Sequence, residues 1–187
     1  LVAGCTPWAR RVFDTRLTKL PGEWAYAETP IALEEGVREF SPRLTFFLHW
    51  RWRVPKKVLE TTTCVGFHLG SFRRYRGGTP LQHQIIDGCR DSNLTIYRMT
   101  DETDSGSVYA TMPVMLHGSA EAIYARVMGE AAYWIKGVTY HWAHDGLDLW
   151  EPTAEKLGTL FPRRTPEMSE LPHDPSLEGA FDFIRML

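Results

Sequence analysis

The feature that most constrains this chain is a regular alternation of short apolar runs with helix starts marked by a hydroxyl residue and a proline. Residues 1–5 read as a buried strand, and Thr6-Pro7 then opens a helical face through Trp8, Val12, Phe13 and Leu17. Thr29-Pro30 repeats the signal ahead of Ile31, Leu33, Val37 and Phe40. A threonine hydroxyl satisfies a free N–H of the first turn, and proline fits the first helical position because its missing N–H has no partner there. Further strands are expected at 24–27, 44–48, 62–67, 94–99 and 108–115, with short helices at 55–59 and 80–86. Ser119 caps a long helix from Ala120 to about Ile135, with Glu121 in its first turn. Strands alternating with helices predict an α/β fold, a mostly parallel central sheet flanked by helices.

The 187 residues, 43% apolar, suffice for one domain with a real core plus an appendage. We expect an α/β unit over residues 1–136 and a C-terminal extension over 137–187 that packs on it. Within the extension, 152–175 reads as an extended tail with one helical turn at 165–168. A formal charge of −2, with both signs mixed along the chain, argues against a dedicated nucleic-acid or membrane-surface protein. Cys5, Cys64 and Cys89 lie far apart, which fits thiols in a reducing compartment and a cytoplasmic location. No apolar run approaches the roughly 20 residues of a membrane span, and the start lacks a leader pattern. The chain begins without Met and ends on an apolar periodic segment, 181–187, so it reads as a window of a longer one.

Chemistry concentrates in residues 66–82, Gly-Phe-His-Leu-Gly-Ser-Phe-Arg-Arg-Tyr-Arg-Gly-Gly-Thr-Pro-Leu-Gln. His68 leaves a strand end, the place where open α/β sheets hold ligands. Gly77 and Gly78 permit close backbone approach, and the helix start that follows offers N–H groups to an anion. Asp101, Glu102 and Asp104 have no histidine at ligand spacing, so no metal is expected. Gly4 stands alone after the first strand, so there is no dinucleotide fingerprint. Read singly, His68 fits a structural histidine, Trp50 and Trp52 fit core or lid residues, and Arg73 and Arg74 fit solvated loop charges.

Two motifs together resemble the 10-formyltetrahydrofolate-dependent formyltransferases, the family of methionyl-tRNA, glycinamide ribonucleotide and sugar N-formyltransferases. The first is a strand ending in Asn-x-His, then a loop closing on x-Arg-Gly-x-x-Pro-x-Gln, matched by His68, Tyr75, Arg76, Gly77, Pro80 and Gln82. The second, Met-x-x-x-x-Asp-x-Gly after a strand, is matched by Met99, Asp104 and Gly106. The resemblance covers residues 44–135 and implies the three-layer, Rossmann-like formyltransferase fold, with a shortened N-terminal half and an extended C-terminal tail.

What the resemblance implies is specific. The amine of an acceptor attacks the formyl carbon of 10-formyltetrahydrofolate, with His68 as general base and Asp104 as its orienter or relay. The loop after residue 48 lines a pterin pocket, so Trp50, Trp52, Arg53 and Val54, with Asp101 and Thr103, are the expected donor-binding residues. Arg76, Gly77, Gly78, Thr79 and Gln82 are expected on the acceptor side. The loops 48–54 and 100–104 should meet His68 at one cleft.

Residues 163–169 and 181–187 are similar to small formyltransferase-like proteins of amino-sugar pathways, which implies a nucleotide-linked amino sugar as the small-molecule acceptor. No nucleic acid and no membrane are implied as partners, and a homodimer is compatible. One position departs: Gly66 stands where the family has the asparagine that steadies the oxyanion. Gln82, Gln84, His49 or a backbone N–H beside Gly66 and Gly70 are alternative donors. Space beside Gly66 for a water would instead favour a formyl or acyl hydrolase, and a third reading is a non-catalytic folate-binding or complex-forming homologue.

Overall fold

The computed structural model describes residues 1–145 and 156–187. Six strands form one sheet: β1 (Val2–Gly4), β2 (Tyr26–Ala27), β3 (Leu44–Leu48), β4 (Thr63–Leu69), β6 (Asp91–Arg98) and β7 (Val108–Met115). Their order is β2-β1-β3-β4-β6-β7. β2, β1, β3 and β4 pair in parallel, and β6 and β7 close one side antiparallel. The expected α/β fold with a mostly parallel sheet is therefore present.

Helices cover both faces, as the two-residue alternation of the strands requires. Val2, Phe46, Val65, Leu94 and Ile96 point to one side and pack with α1 (Pro7–Thr15), α4 (Pro80–Ile86), α5 (Ala120–Asp145) and α6 (Leu177–Arg185). Leu1, Ala3, Phe47 and Cys64 point to the other, against α2 (Pro30–Phe40) and α3 (Lys56–Thr61). The Thr-Pro starts work as expected: Thr6 accepts from the N–H of Ala9, and Thr29 from that of Ala32.

Several boundaries differ from the sequence reading. β2 is only Tyr26–Ala27, while β6 begins three residues early at Asp91, drawn into the ladder opposite Met115. α5 continues ten residues past Ile135 to Asp145, straight through the expected boundary at residue 136. An exposed Gly137 costs such a helix only about 1 kcal/mol, and Val138 and Thr139 beyond it are buried on the same face. The 165–168 turn appears as a single 3-10 turn, Pro166–Ser169. The start of the expected tail, residues 152–155, lies outside the described residues. From residue 156 the extension crosses the molecule, pairing its strand β8 (Leu160–Phe161) in parallel with β5 (Arg76–Gly77). Among the described residues no helix is long and apolar enough to cross a membrane.

Candidate active site

His68 is the penultimate residue of β4, inside the strand, because Leu69 still pairs with Leu94. Its side chain is buried, and both ring nitrogens face oxygen. Nε2 lies 2.5 Å from the carbonyl of Tyr75. A carbonyl can only accept, so Nε2 carries the proton. Nδ1 lies 3.4 Å from Oδ2 of Asp104. The two groups expected at the reactive centre are thus direct neighbours although 36 residues separate them in sequence.

Asp104 is itself tightly held. Its backbone has φ of +45°, a left-handed conformation unfavourable for a side-chain-bearing residue. Oδ2 also accepts the N–H of Gly77 at 2.9 Å, and Oδ1 accepts the hydroxyl of Tyr97 at 2.8 Å. The Arg76 guanidinium is buried and holds the same loop from below. Its Nε donates to the carbonyls of Thr103 and Asp104 at 2.9 and 3.0 Å, and its Nη2 pairs with Glu102 at 2.5 Å. Burial, then the charge of Asp104, pushes the Tyr97 phenol well above its ordinary range, so it is a permanent donor.

The structure draws the two flanking loops together. Arg53 pairs with Asp101 at 2.7 Å, joining the 48–54 and 100–104 loops. Val54 is buried, and Trp50 packs edge-on to Trp52 with ring centroids 4.9 Å apart. The Trp50 Nε1 is buried with no partner among the described residues. That unsatisfied donor beside a second indole fits a flat heteroaromatic ligand bearing acceptors. Thr103 contributes its carbonyl to Arg76, and Asp101 is exposed to solvent.

The residues expected on the acceptor side are largely engaged within the chain. Arg76 and Gly77 hold Asp104, as described. Gly77, at φ +106°, lies so close to β8 that a Cβ there would meet the Phe161 carbonyl at 2.4 Å. A Cβ on Gly78 would meet Arg163 Cα at 2.6 Å, and Thr79 Oγ accepts the N–H of Arg164 at 3.0 Å. Gln82 reaches the Met186 carbonyl at 3.4 Å. α4 is seven residues long, and its start is covered by the extension rather than open to an anion.

Among the alternative oxyanion donors, Gln84 is committed elsewhere, its amide donating to the carbonyls of Leu69 and Pro80. His49, between the rings of Trp8 and Tyr124, is held below the ordinary imidazole range by burial and then by the charge of Arg163. Sequence reasoning missed Tyr97 and the Tyr75 carbonyl. Local sequence carries no signal for the first, since only the β4–β6 register sets Tyr97 opposite Gly66.

The fold and this pair of motifs resemble those of the formyltransferases. A methionyl-tRNA formyltransferase from Clostridium thermocellum superposes with a TM-score of 0.84 at 28% identity, over 100% of this chain and 81% of that one. HypX from Aquifex aeolicus in complex with tetrahydrofolic acid shares the fold at a TM-score of 0.80 and 17% identity, over 98% of this chain and 33% of that one. A sugar N-formyltransferase from Shewanella sp. FDAARGOS_354 does so at 0.67 and 15%, over 98% and 85%. By sequence, the methionyl-tRNA formyltransferase of Syntrophomonas wolfei is 27% identical over 108 residues, covering 54% of this chain and 34% of its own length. In sequence and in fold the chain is similar to formyltransferases. It spans less than half the length of these curated relatives. No family model matches it.

Proposed function

We propose that this protein transfers the formyl group of 10-formyltetrahydrofolate to a primary amine of a small acceptor, a nucleotide-linked amino sugar. The observation that carries the reading is the buried His68–Asp104 pair, 3.4 Å apart at the C-terminal end of a parallel strand. His68 is the general base, Asp104 sets its tautomer and stabilises the imidazolium, and the amine nitrogen forms its bond to the formyl carbon as a proton passes to His68. The bond from the formyl carbon to N10 then breaks as His68 returns the proton to N10, and tetrahydrofolate leaves. Nε2 carries the proton bound to the Tyr75 carbonyl, so when substrates bind the 70–75 loop must release it and the ring proton must sit on Nδ1, beside Asp104, before Nε2 can accept one. Trp50, Trp52, Arg53 and Val54, with Asp101 and Thr103, border the folate. The acceptor approaches over the extension that covers Arg76 to Gln82, at its basic residues Arg163 and Arg164. The sugar enzyme among the structural neighbours supports that choice of acceptor, and the tRNA enzymes make tRNA the competing one.

The experiment is turnover of 10-formyltetrahydrofolate by the full chain alone, with nucleotide-linked amino sugars, and with methionyl-tRNA. Amine-dependent release of tetrahydrofolate with one amino sugar is expected. Formate release that no amine changes would overturn transfer, and turnover with methionyl-tRNA alone would overturn the acceptor. The hydrolytic alternative rested on room beside Gly66, and Tyr97 fills that room: a Cβ at 66 would lie 2.5 Å from the ring.

A further inference from the structure

We propose that Tyr97 is the positioning residue of the site, taking the volume that Gly66 leaves and fixing the carboxylate of Asp104 against His68. This rests on the reading of His68 and Asp104 as the reactive pair. Three observations meet at one hydroxyl. First, the ring occupies the place of a side chain at 66: a Cβ there would lie 2.5, 2.7 and 2.9 Å from Tyr97 Cε1, Cζ and the hydroxyl oxygen. Glycine at 66 and tyrosine at 97 are therefore one steric unit across the β4–β6 pair.

Second, the hydroxyl donates to Asp104 Oδ1 at 2.8 Å, whereas Oδ2 receives the Gly77 N–H and faces His68 Nδ1. A carboxylate with one oxygen fixed by a phenol and the other by a backbone amide cannot rotate, so the Oδ2 that meets the imidazole is always the same atom. Third, the phenol is locked in turn. Tyr97 is buried and stands edge-on to Phe72 at 4.8 Å, and Phe72 itself lies 5.5 Å from the His68 ring. With its only polar atom spent on Asp104 and its ring sealed by Phe72 and Val108, Tyr97 does not reach a substrate. It acts through Asp104.

The variant that separates this role from packing is Tyr97→Phe, which keeps the ring over Gly66 and removes only the hydroxyl. The first readout is the 15N spectrum of the His68 imidazole in the ligand-free full chain, assigned by His68→Ala. Tyr97→Phe is expected to change the Nδ1 and Nε2 shifts of His68. In an Asp104→Ala background the same substitution is expected to change nothing, because the hydroxyl's hydrogen bond runs to Asp104 and the ring contact with Phe72 is kept in Tyr97→Phe. The second readout is turnover, with kcat reduced roughly 10- to 100-fold and KM for the formyl donor within about twofold, as for loss of a supporting hydrogen bond.

His68 shifts that are identical in wild type and Tyr97→Phe would overturn the proposal, as would equal changes with and without Asp104. The spectrum needs no turnover, so a protein inactive toward every amine would refute the transferase reading while leaving this test intact. Should Tyr97→Phe fail to fold, the wild-type chain still decides. The Tyr97 hydroxyl proton should give a slowly exchanging downfield resonance that moves in Asp104→Ala, and one that exchanges freely with water would overturn the assignment.

Discussion

A methyl group at position 66 would sit 2.5 Å from a carbon of the Tyr97 ring, well inside contact distance. Overpacking of this kind costs about 1–3 kcal/mol, since the ring is sealed by Phe72 and Val108 and has nowhere to swing. Gly66→Ala should therefore lower the melting temperature of the chain by several degrees, at roughly 2–4 °C per kcal/mol for a protein of this size. Thermal unfolding followed by circular dichroism checks it, and an unchanged midpoint would mean that the ring does not occupy that space. Restoring the family's asparagine alone should likewise damage the fold, because the chain has already filled the vacancy from the opposite strand. Gly66 was legible in the sequence as a departure from a motif. Its compensation was not, because Tyr97 is 31 positions away and only the antiparallel register brings the two face to face.

Among the elements, those governed by local chemistry were read best. Thr6-Pro7 and Thr29-Pro30 start helices because cap and proline act within one turn, and α1 and α2 begin where they say. The ends of β4 and β6 were misplaced by two or three residues because ladder partners, absent from local sequence, decide how far a strand runs. α6 shows a further non-local device. Asp182 on its inner face accepts from Arg185 Nε at 2.6 Å and from Arg90 Nη1 at 2.9 Å, and Arg185 also reaches the Leu116 carbonyl at 2.6 Å. Burial pushes the Asp182 carboxyl up, but the hydrogen bonds and charges of Arg185 and Arg90 together outweigh it and leave it below the usual carboxylate range. A folded-state value below the unfolded one means that this anchoring is full at neutral pH and is lost as pH falls through the depressed value. Hydrogen bonds to a charged group contribute about 1.5–3 kcal/mol. Asp182→Asn should accordingly speed amide hydrogen exchange across α6 roughly 10- to 100-fold at pH 7. Wild type should approach the variant's rate only in strong acid, after correction for intrinsic exchange. Equal protection in both proteins at neutral pH would contradict the anchoring.

For the molecule as a whole, the site is assembled from parts that only the tertiary fold unites. β4 supplies His68, the β6–β7 connection supplies Asp104, and the extension covers the segment between them through the β5–β8 pair. The order of the two motifs made the His68–Asp104 pair legible before any coordinates, whereas the inward commitment of Arg76 and Gly77 was not, because an arginine and a glycine in a loop read equally well as ligand-binding groups. The central claim is that the pair performs the proton transfer of a formyl transfer reaction. The direct measurement is kcat/KM for amine-dependent release of tetrahydrofolate by wild type, His68→Ala and Asp104→Ala, alongside their melting temperatures. Loss of a general base costs about 10²- to 10⁴-fold in rate, so each variant is expected to fall by that order while remaining folded. Variants that unfold early yet keep wild-type specific activity while folded would contradict it, and would reduce His68 and Asp104 to parts of the scaffold.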